Sequence, residues 1–307
     1  MSENLSVAKK IEIKVFIATQ FEIGGVDSNE IGEFQLWYNR YFKDAPYYHV
    51  NGAEEPLWVN KDGVAGTILG MGKVRSSSSM TALLLDSRFD FSRTYFLISG
   101  CAGTSPERGT VGSVYWADYV VDYDLGLRIS PLDLRKGESS FSLLAGFEEP
   151  RVFQLDPKLV QKAYNATKNI ELNDSEANRI YRALYTQPAA QQKPIVSVGT
   201  HLTGDSFFHG PSLSFEAQRV AELNGAGVYV ISEMEGAAIL YVLSKFGYLN
   251  KALCLRTPVN FDQSADVNDN LRHGLANDGG EFTGAFTTGI QNLFRVGSYF
   301  TDYIVVK

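Results

Sequence analysis

The chain has 307 residues, of which 44% are hydrophobic, with a formal net charge of −7 and a pI near 5.2. That acidic balance, with no Lys/Arg cluster to offset it, argues against a nucleic-acid-binding surface. No run approaches the ~18–20 consecutive apolar residues of a spanning helix. Cys101 and Cys254 lack CxxC or His spacing, so neither a zinc site nor a disulfide framework is expected.

Residues 1–9 carry no apolar targeting core, and they read as a flexible N-terminus on a cytoplasmic protein. A single domain is expected over 10–307. Lys10–Thr19 alternates apolar and polar residues and ends in Val15-Phe16-Ile17-Ala18, a first core strand. The Gly-bearing loop that follows puts Glu22 on the rim where open α/β sheets bind ligands. Gly32–Tyr38 enters a helix, with Phe34, Trp37, Tyr38 and Tyr41 at i, i+3, i+4 and i+7 as a core stripe. Glu33 lies at its start.

Val64–Leu69 reads as the second strand. It leads through Gly70-Met71-Gly72-Lys73-Val74-Arg75 and four serines to a helix at Met80–Leu85. Glycine, a basic residue and hydroxyls at a helix start can hold an anion. A tight turn with an N-cap accounts for most of the same pattern, and the spacing of a Walker loop is absent. Thr94–Ile98 is a third strand. It runs into Ser99-Gly100-Cys101-Ala102-Gly103-Thr104, small residues that let a ligand approach the backbone.

Val111–Asp124 reads as strand at a sheet edge, and Leu125–Glu149 as an insertion over the sheet. Asp156–Asn169 and Ser175–Tyr185 are helices, the first capped by Asp156 with Pro157 at its first position. Strand Pro194–Val198 leads to a Gly/Pro-framed loop with Asp205, Phe207, Phe208 and His209. Adjacent aromatics there suit the stacking of a flat base, while a lone histidine is more often structural. Gly227–Ile231 is a buried strand feeding Ser232-Glu233-Met234-Glu235-Gly236 and then helix Ala237–Leu243. A carboxylate at this switch can accept two hydrogen bonds from a vicinal diol such as ribose. Alternatively, Glu233 and Glu235 complement the positive end of the helix. Lys251–Leu255 is the last core strand, with Asn260 and Asp262 on the rim beyond it, and Gly279–Phe300 is a closing amphipathic helix.

Strands alternating with helices, and rim groups at successive strand ends, argue a single α/β/α domain with a mixed or parallel sheet. The ordered set Gly70-Met71-Gly72, Ser99–Gly103, Gly204-Asp205-Ser206-Phe207, Glu233-Met234-Glu235 and Arg256…Asn260 resembles the nucleoside phosphorylase/nucleosidase superfamily. Within it the chain is most similar to the purine nucleoside permease family. That likeness rests on Phe21-Glu22-Ile23-Gly24 with Gly32–Trp37, Gly109–Asp124, Asp205–Gly210 and Leu255–Asn260.

The resemblance implies a three-layer α/β/α nucleoside phosphorylase-like fold with a mixed central sheet. It also implies a purine nucleoside as ligand, cleavage of its N-glycosidic bond, a homo-oligomer, and no cofactor beyond phosphate as a co-substrate. By the same likeness Glu235 resembles the acid that binds the ribose hydroxyls, with Met234 on the sugar and Phe207 on the base. Asn260 falls where relatives contact purine N7, and as an amide it would suit 6-oxopurines better than adenine; Asp262 is the acid if the register slips by two. The phosphate-gripping arginine of related phosphorylases is Ile98 here, their serine is Cys101, and the first-loop Gly…Arg pair is missing. Gly72 and Arg75 remain as a poor anion site, which favours water as acceptor, oriented by Glu22 or Glu33. The competing reading is a nucleoside-binding protein that supports uptake without catalysis.

Overall fold

A computed structural model describes residues 9–28, 30–144, 146, 151–266 and 285–306. The expectations for residues 1–8 and for a helix start at 279–284 lie outside the described residues. The apolar runs form strands: β1 (Val15–Thr19), β2 (Val64–Ile68), β3 (Tyr95–Thr104), β4 (Val114–Asp122), β5 (Val196–Thr203), β6 (Tyr229–Glu233) and β7 (Ala252–Phe261). They belong to a 10-stranded mixed sheet. Its order is Val152–Gln154, β4, β5, β6, β3, β1, β2, Leu57–Val59 and Tyr47–Tyr48. β7 lies off that line, parallel to β3 and antiparallel to β4.

Those pairings make β4, β5, β6, β3 and β7 close into a ring, which leaves no free edge among them. The seam between β6 and β3 is the single pair Ser232–Gly103. Every residue of β1, β2 and β7 is buried, as continuous apolar runs covered on both faces require.

The helices are α1 (Gln35–Trp37, continued by a π turn at Tyr38–Phe42), α2 (Lys73–Leu85), α3 (Pro157–Thr167), α4 (Glu176–Ala183), α5 (Pro211–Leu223), α6 (Gly236–Lys245) and α7 (Phe286–Val306). α2 packs on α6, while α7 packs along β7 and β3 beside α1 and α3. The result is the three-layer α/β/α fold with a mixed central sheet. Phe34 and Trp37 of the aromatic stripe are buried, and Trp37 meets Phe294 of α7 edge-on at 5.2 Å. Asp156 caps α3 by accepting from the Lys158 and Leu159 amides.

Three elements differ from the sequence expectation. α2 begins at Lys73, seven residues before Met80; inside it Ser76 and Ser77 are accommodated with their hydroxyls turned back to the carbonyls of Gly72 (2.8 Å) and Lys73 (2.6 Å). β4 is interior, flanked by Val152–Gln154, β5 and β7. β7 extends to Phe261, so Arg256 and Asn260 are strand residues rather than loop residues. The insertion carries a small hairpin, Leu127–Arg128 with Phe141–Ser142. Arg128 pins it, bonding Glu216 at 2.9 Å and lying over the Tyr123 ring at 4.5 Å.

Candidate functional site

The C-terminal ends of β1, β3, β5, β6 and β7 surround a cavity of 530 Å³. Glu22, Glu33, Cys101, Phe207, Phe208, Glu233, Met234, Glu235 and Asn260 line it, as do Gln20, Tyr123, Ser232, Arg256 and Phe286. Much of the remaining wall is apolar, with Phe21, Ile23, Met71, Leu202 and Val259.

Arg256 organises the floor. It is 1% exposed; its Nη2 donates to Glu233 at 2.6 Å and to Glu235 at 3.2 Å. Its Nη1 donates to Gln20 Oε1 (3.0 Å) and to the Cys101 carbonyl (3.2 Å). These groups converge over Gly100, where a Cβ would collide with Arg256, Gln20 and Glu33 at once. Glycine is needed there for close approach, not for its backbone angle.

The two acids of the β6–α6 switch are not equivalent. Glu233 is saturated: it accepts from the Glu235 and Gly236 amides (2.9 and 2.8 Å), from Thr203 Oγ1 and from Arg256. It therefore caps α6, as the helix-end reading expected. Glu235 accepts one bond on each oxygen, from the Gly72 amide (2.9 Å) and from Arg256. A carboxylate has about four acceptor sites, so Glu235 keeps capacity for a diol. Burial pushes its pKa up, and the neighbouring Glu233 and Glu33 add to that against the Arg256 charge.

The two first-loop acids divide in the same way. Glu22 accepts from the amides of Ile23 (2.9 Å), Phe34 (2.8 Å) and Gln35 (2.5 Å), and so holds the start of α1. Glu33 is buried and accepts from the Cys101 amide (2.7 Å) and the Gln20 amide (2.8 Å), with the Cys101 thiol bonded beside them. Burial raises its pKa despite Arg256. Burial also pushes the Cys101 thiol well up, helped by Glu33, which keeps it protonated and a poor nucleophile.

At the mouth, Phe207 is 46% exposed and Phe208 packs on Tyr123 at 5.2 Å. Asn260 is 3% exposed; its Nδ2 donates to the Phe261 carbonyl at 3.0 Å. The register between β7 and β3 shifts between Pro258 and Asn260. Through that bulge Val259 and Asn260, adjacent in sequence, both reach the cavity.

Several expected groups do not line the cavity. Asp262 turns away from it: Tyr229 donates to it at 2.5 Å, Ser214 lies beside that hydroxyl at 2.7 Å, and burial pushes Asp262 up to about 6. The two-residue slip is thus not realised, because β7 ends at Phe261 and the chain turns. Arg75 faces Glu54 on the surface, at 3.5 Å. Asp205 accepts from the Lys73 amide at 2.7 Å, and His209 is not among the lining residues. Gly72, at φ +87° before α2, contributes its amide to Glu235. The expected anion site at the start of α2 is therefore filled by the protein's own carboxylates, Glu235 and Asp205.

Sequence reading assigned no role to Arg256, Gln20, Ser232 or Tyr123. Arg256 entered the sequence reading only as one end of the Arg256…Asn260 motif, and its partners lie at least 21 residues away. Among the described residues no group of three or more His, Cys, Asp or Glu side chains could hold a metal ion, and no helix is long and apolar enough to cross a membrane.

The family model described as purine nucleoside permease (NUP) matches residues 12–307. A Schizosaccharomyces pombe protein named a probable purine nucleoside permease is 28% identical over 265 residues, 77% of this chain and 74% of the relative. A purine nucleoside permease of Candida albicans is 30% identical over 217 residues, 63% of this chain and 53% of that relative. In fold, the chain is similar to a Neisseria meningitidis 5′-methylthioadenosine/S-adenosylhomocysteine nucleosidase (TM-score 0.60, 15% identity, 94% of this chain and 99% of that one). It is also similar to a futalosine hydrolase of Helicobacter pylori (TM-score 0.59, 18% identity, 95% and 98%). At these identities the likeness establishes the fold alone.

Proposed function

Because the chain belongs to the purine nucleoside permease family, we propose that this cavity binds a purine nucleoside and cleaves its N-glycosidic bond with water as acceptor. One observation carries the choice of water. The lining carboxylates are Glu22, Glu33, Glu233 and Glu235, and the one Lys or Arg among the described lining residues is Arg256. That guanidinium is already shared by two carboxylates. A phosphate dianion entering this wall meets repulsion without a spare cation.

In this reading Glu235 accepts the ribose hydroxyls, Met234 packs on the sugar, and Phe207 covers the base with Asn260 at its edge. Glu33 orients the water and takes its proton. The water oxygen bonds C1′ as the C1′–N9 bond breaks, and the purine leaves with that electron pair and is protonated from solvent. The surrounding negative charge stabilises the cationic, oxocarbenium-like sugar.

The test is product analysis on purified protein with adenosine, guanosine, inosine and uridine, with and without phosphate. The expected result is free purine base and free ribose in phosphate-free buffer. Strict phosphate dependence with ribose 1-phosphate as product would make the chain a phosphorylase. Saturable binding without base release would favour the nucleoside-binding role that the relatives' permease names suggest.

A further inference from the structure

Carboxylates outnumber cations at both ends of the cavity. On the floor Glu33, Glu233 and Glu235 are all buried, with Arg256 as the one Lys or Arg among the described lining residues. At the mouth Tyr123, Gly204 and Ser206 line the cavity, and Asp122, Asp124 and Asp205 flank them in sequence. Lys73 spans this group. Its ammonium lies 3.1 Å from Asp122 and 2.9 Å from Asp124, and its amide donates to Asp205 at 2.7 Å. Arg128 stands 3.9 Å from Asp124 but bonds Glu216 at 2.9 Å. Low-dielectric walls focus this negative field into the cavity.

The base end lacks an acid. Its polar lining groups are the Asn260 amide and the hydroxyls of Tyr123, Ser206 and Ser232. Amides and alcohols do not give up a proton near neutral pH. The Tyr123 hydroxyl donates to Glu216 at 2.8 Å, and burial pushes its pKa up. Asp262, two residues beyond Asn260, is turned to Tyr229, which donates to it at 2.5 Å. A neutral base leaving C1′ as an anion therefore meets no proton donor. A base that already carries a positive charge leaves as a neutral molecule and needs none.

Resting on the cleavage reading of this cavity, we propose that it takes N-ribosides with a fixed-cation aromatic base, such as pyridinium ribosides, as a further substrate class preferred over neutral purine nucleosides. The positive ring stacks on Phe207 and Phe208 at the mouth, and the ribose keeps its place on Glu235. Water bonds C1′ and passes its proton to Glu33. The C1′–N pair returns to the ring nitrogen, and the base departs uncharged. As that bond breaks, positive charge moves from the ring to the sugar, toward the floor carboxylates, so the attraction is stronger in the transition state than in the bound substrate. Burial raises Glu33 and Glu235 above the usual carboxylate range, and a cation beside them favours the ionised forms that the sugar and the water require.

The experiment measures kcat/KM in phosphate-free buffer for nicotinamide riboside, nicotinic acid riboside and inosine. The first two share a pyridinium leaving ring, and the carboxylate of the second cancels its charge. Nicotinamide riboside should exceed both others by about tenfold or more in ~0.02 M salt, and its lead over nicotinic acid riboside should shrink several-fold in ~0.5 M salt. Asp124→Asn combined with Asp205→Asn, which keeps the acceptors at the mouth, should lower nicotinamide riboside turnover several-fold and leave inosine within about twofold. Equal, salt-independent values for the two pyridinium ribosides overturn the proposal, as does inosine cleaved faster than nicotinamide riboside; in either case base release from inosine upholds the cleavage reading. If no riboside is cleaved, that reading fails, and dissociation constants for nicotinamide riboside against its uncharged 1,4-dihydro form decide by the same ratio whether the cavity selects the cation.

Discussion

Glu235 and Gly72, 163 residues apart, are joined by a 2.9 Å hydrogen bond from the glycine amide to the carboxylate. The bond places the start of α2 against the β6–α6 switch. It spends one donor of a helix N-terminus on an acid of the cavity, not on an external anion.

Glu235 should anchor the sugar. Charge-assisted hydrogen bonds from two hydroxyls are worth about 1.5–3 kcal/mol each. Glu235→Ala should weaken ribonucleosides by roughly tenfold or more beyond its effect on 2′-deoxynucleosides, measured as kcat/KM or as Kd. Equal losses for both sugars would remove Glu235 from the ribose.

Glu33 and Glu22 should separate in opposite assays. Glu33→Gln should lower kcat by about 10²–10⁴, the span of general-base effects, with a small change in KM. Glu22→Ala should instead cost about 1 kcal/mol of stability through loss of its three amide partners, read by thermal unfolding. A Glu22 variant that loses turnover at unchanged stability would exchange the two roles.

Asp262 supplies a pH test. Its carboxyl is held near pKa 6 in the fold against 3.8 for an unperturbed group. Between those values the native state binds more protons than the unfolded state. Stability from this group is therefore greatest below about pH 4 and is lost as pH rises through 6, by about 3 kcal/mol in all. Asp262→Asn should remove that dependence, so the difference in unfolding free energy between wild type and variant should shift by about that amount between pH 3.5 and 7. A difference independent of pH would show that the fold leaves this carboxyl at its unperturbed pKa, and one that grows with pH would show that it stays ionised against Tyr229.

Arg256 should behave as the counter-ion of the whole site. Arg256→Met leaves Glu233 and Glu235 buried without their cation, which costs roughly 3–5 kcal/mol. Adding Glu233→Gln should recover part of that loss. Failure of the double variant to recover any stability would argue that packing, rather than charge, makes the arginine necessary.

The periodicity of the sequence was enough to determine the layered architecture. Buried runs such as Tyr229–Glu233 and the stripe Phe34–Trp37 can be satisfied only by a covered sheet and a packed helix, so these elements are legible locally. The switch Ser232–Gly236 was likewise visible, because two carboxylates beside a strand end are rare without a partner. What each acid does was not legible. Glu22 is taken up by three backbone amides and Glu233 by two amides, Thr203 and Arg256, whereas Glu33 and Glu235 retain free acceptor sites, and the donors that decide this are scattered along the chain. The bulge after Pro258 turned Asn260 rather than Asp262 to the cavity, and the closure of β6 on β3 set Ser232 beside it. Such facts depend on hydrogen bonds between strands far apart in sequence, and no local pattern of side chains encodes them.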